Sequence, residues 1–284
     1  MKTVTLSIVL VLSFVITGCS FNFNALSNLE KIEGKGEIIT EQLTLEPFEE
    51  VQLKRGWEVI LKPASSNYMV VEANENLLEI LDYDNKEGTL IIGSLKQISI
   101  ADAKIITLYF SGTLESMKVS SGTIVSSPDQ LNFDDFVLDL SSGANVTLDA
   151  GLESLKLETS SGATANLKLD LVNLDIDSSS GSSASLEVDA VSTEVESSSG
   201  SLVNLRGRTN SLEVKTSSGS SLDAKRFQAS YVYTKASSGS SISVFPLKDL
   251  KAETSSGGEV SYYNKPTGEL DINKSKSGGG IQLK

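Results

Sequence analysis

In the C-terminal two thirds of the chain, apolar side chains fall at every second position on both sides of a recurring Ser-Ser-Gly triplet. Phe136 and Leu138, Leu155 and Leu157, Leu174 and Ile176, and Leu212 and Val214 lie seven and five residues before a triplet glycine. Val146 and Leu148, Ala165 and Leu167, Ala184 and Leu186, Val203 and Leu205, Ile242 and Val244, and Ile281 and Leu283 lie three and five residues after one. All these offsets are odd. Strict alternation predicts short strands with one buried face, and the 3.6-residue spacing of an amphipathic helix is absent. Asp139, Asp149, Glu158, Lys168, Asp175, Glu187, Glu196 and Glu213 occupy the positions between and are expected to face water.

The triplet glycines, or their nearest equivalents, are Gly122, Gly143, Gly162, Gly181, Gly200, Gly219, Gly239, Gly257 and Gly278, at intervals of 21, 19, 19, 19, 19, 20, 18 and 21. Repetition at a fixed period of this size marks a solenoid. The predicted fold is all-β: a single-stranded parallel β-helix with coils of about 19 residues, each a strand, a corner, a second strand and a variable return. Coils stacked about 4.8 Å apart would make a rod of roughly 40 Å. At the corner, glycine is expected both to supply a positive φ and to avoid a clash with the coils above and below. The serine immediately before it has inward parity. Ser142, Ser161, Ser180, Ser199, Ser218, Ser238 and Ser256 are therefore expected to form an internal hydroxyl ladder. The last unit, ELDINKSKSGGGIQLK, is one residue longer between Ile272 and Gly278, which suggests a bulge or closing cap.

Residues 33–115 lack the triplet but also alternate, with Glu87-Gly88 as a turn signal between Ile80 to Tyr83 and Thr89 to Ile92. Particular strings stand out here: Gly34-x-Gly36, Phe48-Glu49-x-Val51, Gly56 followed by Trp57, Val59 and Leu61, VVEANENLLEIL from Val70 to Leu81, Gly88-Thr89-Leu90-Ile91-Ile92, and LYFSGTLESMKVSSG from Leu108 to Gly122. Together they resemble the auto-transporter adhesin head, or GIN, domain family, over roughly Ile32 to Leu283. The resemblance implies a right-handed parallel β-solenoid on exported, often lipid-anchored, bacterial envelope proteins. It implies no activity and supplies no catalytic residues. The domain is expected over 32–284, with N-terminal capping strands over 32–110 and Ser-Ser-Gly repeats over 111–284.

The opening MKTVTLSIVLVLSFVITGCS carries Lys2 and an apolar run from Val4 to Val15 that is short for a membrane span, as in an export signal. Ile16-Thr17-Gly18-Cys19 resembles the bacterial lipobox. Residues 1–18 are read as a lipoprotein signal peptide, Cys19 as the lipidated residue that tethers the protein to the membrane, and 19–31 as a polar tether. Ser20 is compatible with sorting to the outer membrane, with periplasmic or cell-surface orientation open.

The remaining chemistry is read largely by exclusion. With 24 basic against 37 acidic residues and a formal charge of -13, the surface repels phosphate backbones, and no nucleic-acid partner is expected. The chain has no histidine and one cysteine, so no Ser-His nucleophile, cysteine-rich zinc site or internal disulfide is expected, and the triplet lacks the aspartates of a repeated calcium loop. No metal or cofactor is expected. Two function classes remain: a non-enzymatic envelope module that binds, adheres or spaces, with an envelope, glycan or protein ligand, and a polysaccharide-active β-helix lyase or hydrolase. The second needs carboxylates that converge on a groove, and Asp134, Asp135, Asp175 and Asp177 are candidates of the right type. Lys225-Arg226 and Arg206-Gly207-Arg208 form a local basic cluster suited to an acidic glycan or lipid headgroup, or are ordinary surface. Trp57 is either a sugar-stacking ring or packing at the N-terminal end. Thr159 and Thr216, with Ser178 and Ser197, have an inward offset, so no exposed threonine plane for ice is expected. Oligomeric state is not encoded in any of these features.

Overall fold

The computed structural model describes residues 30–274 and 277–284, and the folded unit runs from Lys31 to Lys284. The leader and Cys19 lie outside the described residues. Two parallel sheets wind through the unit. One holds the strand before each corner, for example Asp135–Leu140, and the other the strand after it, for example Ser183–Asp189. Between corners the chain often stays extended through the return segment, so Asn145–Thr159 and Thr164–Ser178 each belong to both sheets.

The register is an unbroken 19-residue step where the sequence period is 19. Leu155 pairs with Leu174 and Leu157 with Ile176 in the pre-corner sheet; Val146 pairs with Ala165, and Ala165 with Ala184, in the post-corner sheet. Buried columns result. Met117, Leu138, Leu157, Ile176, Val195 and Val214 follow one another in register, as do Val59, Val125, Val146, Ala165, Ala184, Val203, Leu222, Ile242, Val260 and Ile281. Slipping one coil by a single residue would turn its whole buried set to solvent, so the interior itself fixes the register.

The stack begins earlier than the triplet suggests, and its order departs from the chain order. Glu50–Leu53 and Glu58–Pro63 flank a corner at Lys54-Arg55-Gly56, where Arg55 and Gly56 have φ of 69° and 85°. Val51, Leu53, Trp57, Val59 and Leu61 occupy the buried positions, so this is a full coil inside the segment expected to cap. The coil at Gly122 stacks directly on it. The chain between them runs outward to the other side: Thr89–Ser94 and Lys104–Phe110 pair parallel to it. Antiparallel strands then close that end, Leu81–Lys86 in one sheet and Tyr68–Asn74 with Ile38–Thr44 in the other. The turn between Leu81–Lys86 and Thr89–Ser94 is Glu87-Gly88, both at positive φ. A reversed strand stops the parallel winding, and charged residues on the outer strands discourage further pairing.

Candidate functional site

Each corner is a β-turn whose two central residues are at positive φ. At the fourth triplet the Ser182 amide donates to the Ser179 carbonyl at 3.1 Å, across Ser180 at φ 53° and Gly181 at φ 69°. Gly122, Gly143, Gly162, Gly200, Gly219, Gly239, Gly257 and Gly278 are likewise at φ of 70–87°. The requirement is conformational. A Cβ at Gly143, Gly162, Gly181, Gly200 or Gly219 meets nothing within 4 Å, so the expected clash with neighbouring coils does not occur.

The turn also corrects the hydroxyl ladder. Two successive left-handed residues both point outward, so parity is interrupted, and Ser142, Ser161, Ser180, Ser199, Ser218, Ser238 and Ser256 are exposed. Their main chain forms the column instead: the Gly143 amide donates to the Ser161 carbonyl, Gly162 to Ser180, Gly181 to Ser199, and so on along the rod. The buried hydroxyls lie on either side of the turn, at Thr159, Ser178, Ser197, Thr216 and Thr254 before it, and at Ser182, Ser201, Ser220 and Ser240 after it. Ser182 Oγ is 2.7 Å from the Ser179 carbonyl, 3.1 Å from the Thr159 carbonyl and 3.0 Å from Ser178 Oγ. These serines hold the corner and have no access to a substrate.

Trp57 is fully buried, with Nε1 donating to the Gly93 carbonyl at 2.8 Å, which removes it as a sugar platform. The aromatic platform lies elsewhere. On the pre-corner sheet Tyr231 and Tyr233, two residues apart in Ser221–Ala236, both project outward. Their neighbours across the coils are serines and charged residues, mostly acidic. Ser192 and Ser211 precede Tyr231 in register and Asp249 follows it; Glu194 and Glu213 precede Tyr233, and Lys251 and Asp271 follow it. The step from serine to tyrosine leaves a groove of about 360 Å³ walled by the rings and edged with carboxylates. Lys248 Nζ lies over the Tyr231 ring at 5.3 Å from its centre and Lys251 Nζ over the Tyr233 ring at 5.3 Å, and each cation is attracted to its ring face. Burial, and then the charge of Glu253, push the Tyr233 hydroxyl above its ordinary pKa, so it stays a neutral donor at physiological pH. Sequence reading missed this pair because two tyrosines at outward parity carry no signal until the serines beside them are known to be in register.

Next to the groove the same sheet is strongly acidic. Asp175, Asp177, Glu194 and Glu196 sit on adjacent coils, and Lys215 bridges Glu194, Glu196 and Glu213 at 3.1, 3.2 and 2.9 Å. The hydrogen bonds that the Lys215 ammonium donates to these three carboxylates hold its pKa well above the usual lysine range. Burial, and then neighbouring carboxylates, raise Asp175; burial raises Asp177 as well, with Lys156 opposing. Asp134 and Asp135 do not join them: Asp135 pairs with Ser154, coils away in the register. Among the described residues no group of three His, Cys, Asp or Glu is arranged to hold a metal ion, and no helix is long and apolar enough to cross a membrane.

The family profile described as "Putative auto-transporter adhesin, head GIN domain" matches residues 47–183 and again 152–266. No protein of curated function matches the chain. Among solved structures, a "putative adhesin" from Parabacteroides distasonis ATCC 8503 is 15% identical with a TM-score of 0.65, covering 90% of this chain and 100% of that one. A "putative adhesin" from Parabacteroides merdae ATCC 43184 is 17% identical with a TM-score of 0.64, covering 89% and 99%. A "Putative lipid binding protein" from Parabacteroides distasonis ATCC 8503 is 16% identical with a TM-score of 0.62, covering 89% and 100%. At these identities the likeness is one of fold.

Proposed function

The chain belongs to the auto-transporter adhesin head GIN domain family, and from that premise we propose that it is a non-enzymatic envelope protein whose rigid solenoid binds glycan through the Tyr231–Tyr233 groove. The reading includes export, lipid attachment at Cys19 and residence in the outer membrane. The observation that carries it is the groove: exposed aromatic faces offer stacking surface to the C–H face of a sugar ring, and Glu194, Glu213, Asp249 and Asp271 beside them accept hydrogen bonds from its hydroxyls. A preformed groove on a stacked scaffold needs little reorganisation on binding, and many anchored copies at a surface raise the effective concentration of weak contacts.

The test is binding of the purified protein to a panel of neutral and acidic glycans. Retention of at least one glycan is expected, with Tyr231→Ala and Tyr233→Ala together lowering its affinity about tenfold or more, as loss of two stacking rings at about 0.5–1.5 kcal/mol each implies. Unchanged binding by the double variant, or retention of no glycan, would remove the groove as the site. Release of reducing ends or unsaturated sugars during incubation would replace the reading with a polysaccharide-active enzyme. Labelled palmitate that still enters a Cys19→Ala protein would remove the anchor.

A further inference from the structure

One outward column of the post-corner sheet alternates in charge over four coils. Asp149, Lys168, Glu187 and Arg206 follow one another in register, and Lys168 Nζ lies 2.8 Å from Asp149. In the neighbouring column Asp170 stands opposite Asp189, and Arg208 on the next coil compensates by donating through Nε to Asp189 at 2.8 Å. Opposite charges directly across strands stabilise a sheet, and like charges there oppose it. The next step of the first column ends its alternation, because Arg206 stands directly opposite Arg226. Neither guanidinium is within ion-pair distance of a carboxylate among the described residues, Glu187 included, although the chain carries a formal charge of -13.

This pairing is built by the backbone. Asn204 pairs with Asp223 and Arg206 with Arg226, so Leu205 alone opposes Ala224 and Lys225 in a β-bulge. This coil is the one with the 20-residue interval between Gly219 and Gly239. Toward the following coil Ala224 pairs with Val244 and Gln228 with Phe245, which leaves residues 225–227 without partners there. Phe227 is fully buried and anchors the bulge from within. Gly207, opposite it, is at φ 108°, and a Cβ there would lie 2.1 Å from the Val188 carbonyl oxygen. Bulges re-aim side chains. This one turns Lys225 and Arg226 outward together beside Arg206, around a hollow of about 160 Å³ also lined by Asn204 and Asp223. Lys225 is 2.7 Å from Asp223, which leaves the two guanidinium groups as the uncompensated donors.

We infer that Arg206 and Arg226 form an anion-binding site for the carboxylate or sulfate of an acidic glycan. Each guanidinium presents a planar fork of donors that matches an oxyanion, and a bound anion offsets the repulsion between the two like charges. The acidic remainder of the surface repels a broad anionic membrane more than a single glycan chain, which can bring one oxyanion to the pair without lying against the rest of the surface. The site lies on the other sheet from the tyrosine groove and stands independently of it.

The experiment measures binding of the purified protein to polygalacturonate, with neutral dextran and phosphatidylglycerol-containing vesicles as the other arms, at low and physiological salt. Polygalacturonate is expected to bind, more weakly as salt rises, and Arg206→Gln with Arg226→Gln to weaken it about tenfold or more. The same double variant should unfold at an equal or higher temperature, since a like-charge contact is removed, and Tyr231→Ala should leave polygalacturonate binding intact. Absence of polygalacturonate binding at low salt, equal binding by the double arginine variant, or binding to the vesicles in its place would each overturn the site.

Discussion

Ile176→Asp is expected to abolish cooperative folding of the central coils. Ile176 is fully buried, with Leu157 in register on one side, Val195 on the other and the buried Leu174 two residues before it. A carboxylate there has no cation to pair with and no water. The loss of side-chain packing alone is worth about 2–5 kcal/mol, and an unpaired buried charge adds several more, so the total rivals the whole stability of an ordinary domain. In a solenoid the damage extends beyond one site, because each coil is stabilised chiefly by its two neighbours. The measurement is thermal unfolding by circular dichroism with limited proteolysis: early cleavage near the substituted coil and a broadened, lowered transition are expected. Asp175→Asn, one residue away at outward parity, provides the contrast. Burial and neighbouring carboxylates raise the Asp175 pKa in the folded state, so its ionised form opposes folding at neutral pH, and stability from this group rises as pH falls through that raised value. The asparagine variant should therefore unfold at an equal or higher temperature at pH 7, and its advantage should fade on acidification.

Ser182→Ala is expected to cost about 1–3 kcal/mol, while Ser180→Ala should be nearly neutral. The two positions differ by two residues and would be interchangeable by sequence pattern. Ser182 is buried, and its hydroxyl lies against the Ser179 and Thr159 carbonyls and the hydroxyls of Thr159 and Ser178. Removing it takes one partner each from two carbonyls and two buried hydroxyls, leaving every one of them with a single remaining bond and a small void beside it. Ser180 is exposed and contributes its carbonyl, which any residue retains. Denaturant unfolding of the two variants separates them: equal losses, or a larger loss at Ser180, would contradict the assignment of the buried hydroxyls.

The contrast between Ser180 and Ser182 also shows where sequence reasoning stops. Alternation identified the buried residues from seven to five before each corner and from three to five after it, because a strand obeys period two as long as φ stays negative. It could not be carried through the corner, where two left-handed residues in succession hold the same side of the chain outward. The coil at Lys54-Arg55-Gly56 was hidden for a related reason. Its corner geometry and its inward Val51, Leu53, Trp57, Val59 and Leu61 match the later repeats, but the triplet letters are gone and the next coil in space begins at Ser116, beyond an excursion to the capped end. A parity search that ignored letters and kept only a glycine with apolar residues at odd offsets would have found it. The surface sites were less legible still. The Tyr231–Tyr233 groove and the Arg206–Arg226 pair depend on which residue of one coil faces which of the next, and around Lys225 that register is shifted by the bulge.

The in-register stack itself is tested most directly by distances along one outward column, which runs through Asn145, Thr164, Ser183, Leu202, Ser221, Ser241 and Glu259. In a Cys19→Ala background, spin labels would be placed at position 145 and, in separate proteins, at 202, 221, 241 and 259, and the pair distances read by pulsed electron resonance. Even increments of about 4.8 Å per coil are predicted, from about 14 Å for the first pair to about 29 Å for the last. Distances that fail to rise in that order, or that cluster at one value, would contradict the stacked solenoid and every site derived from it.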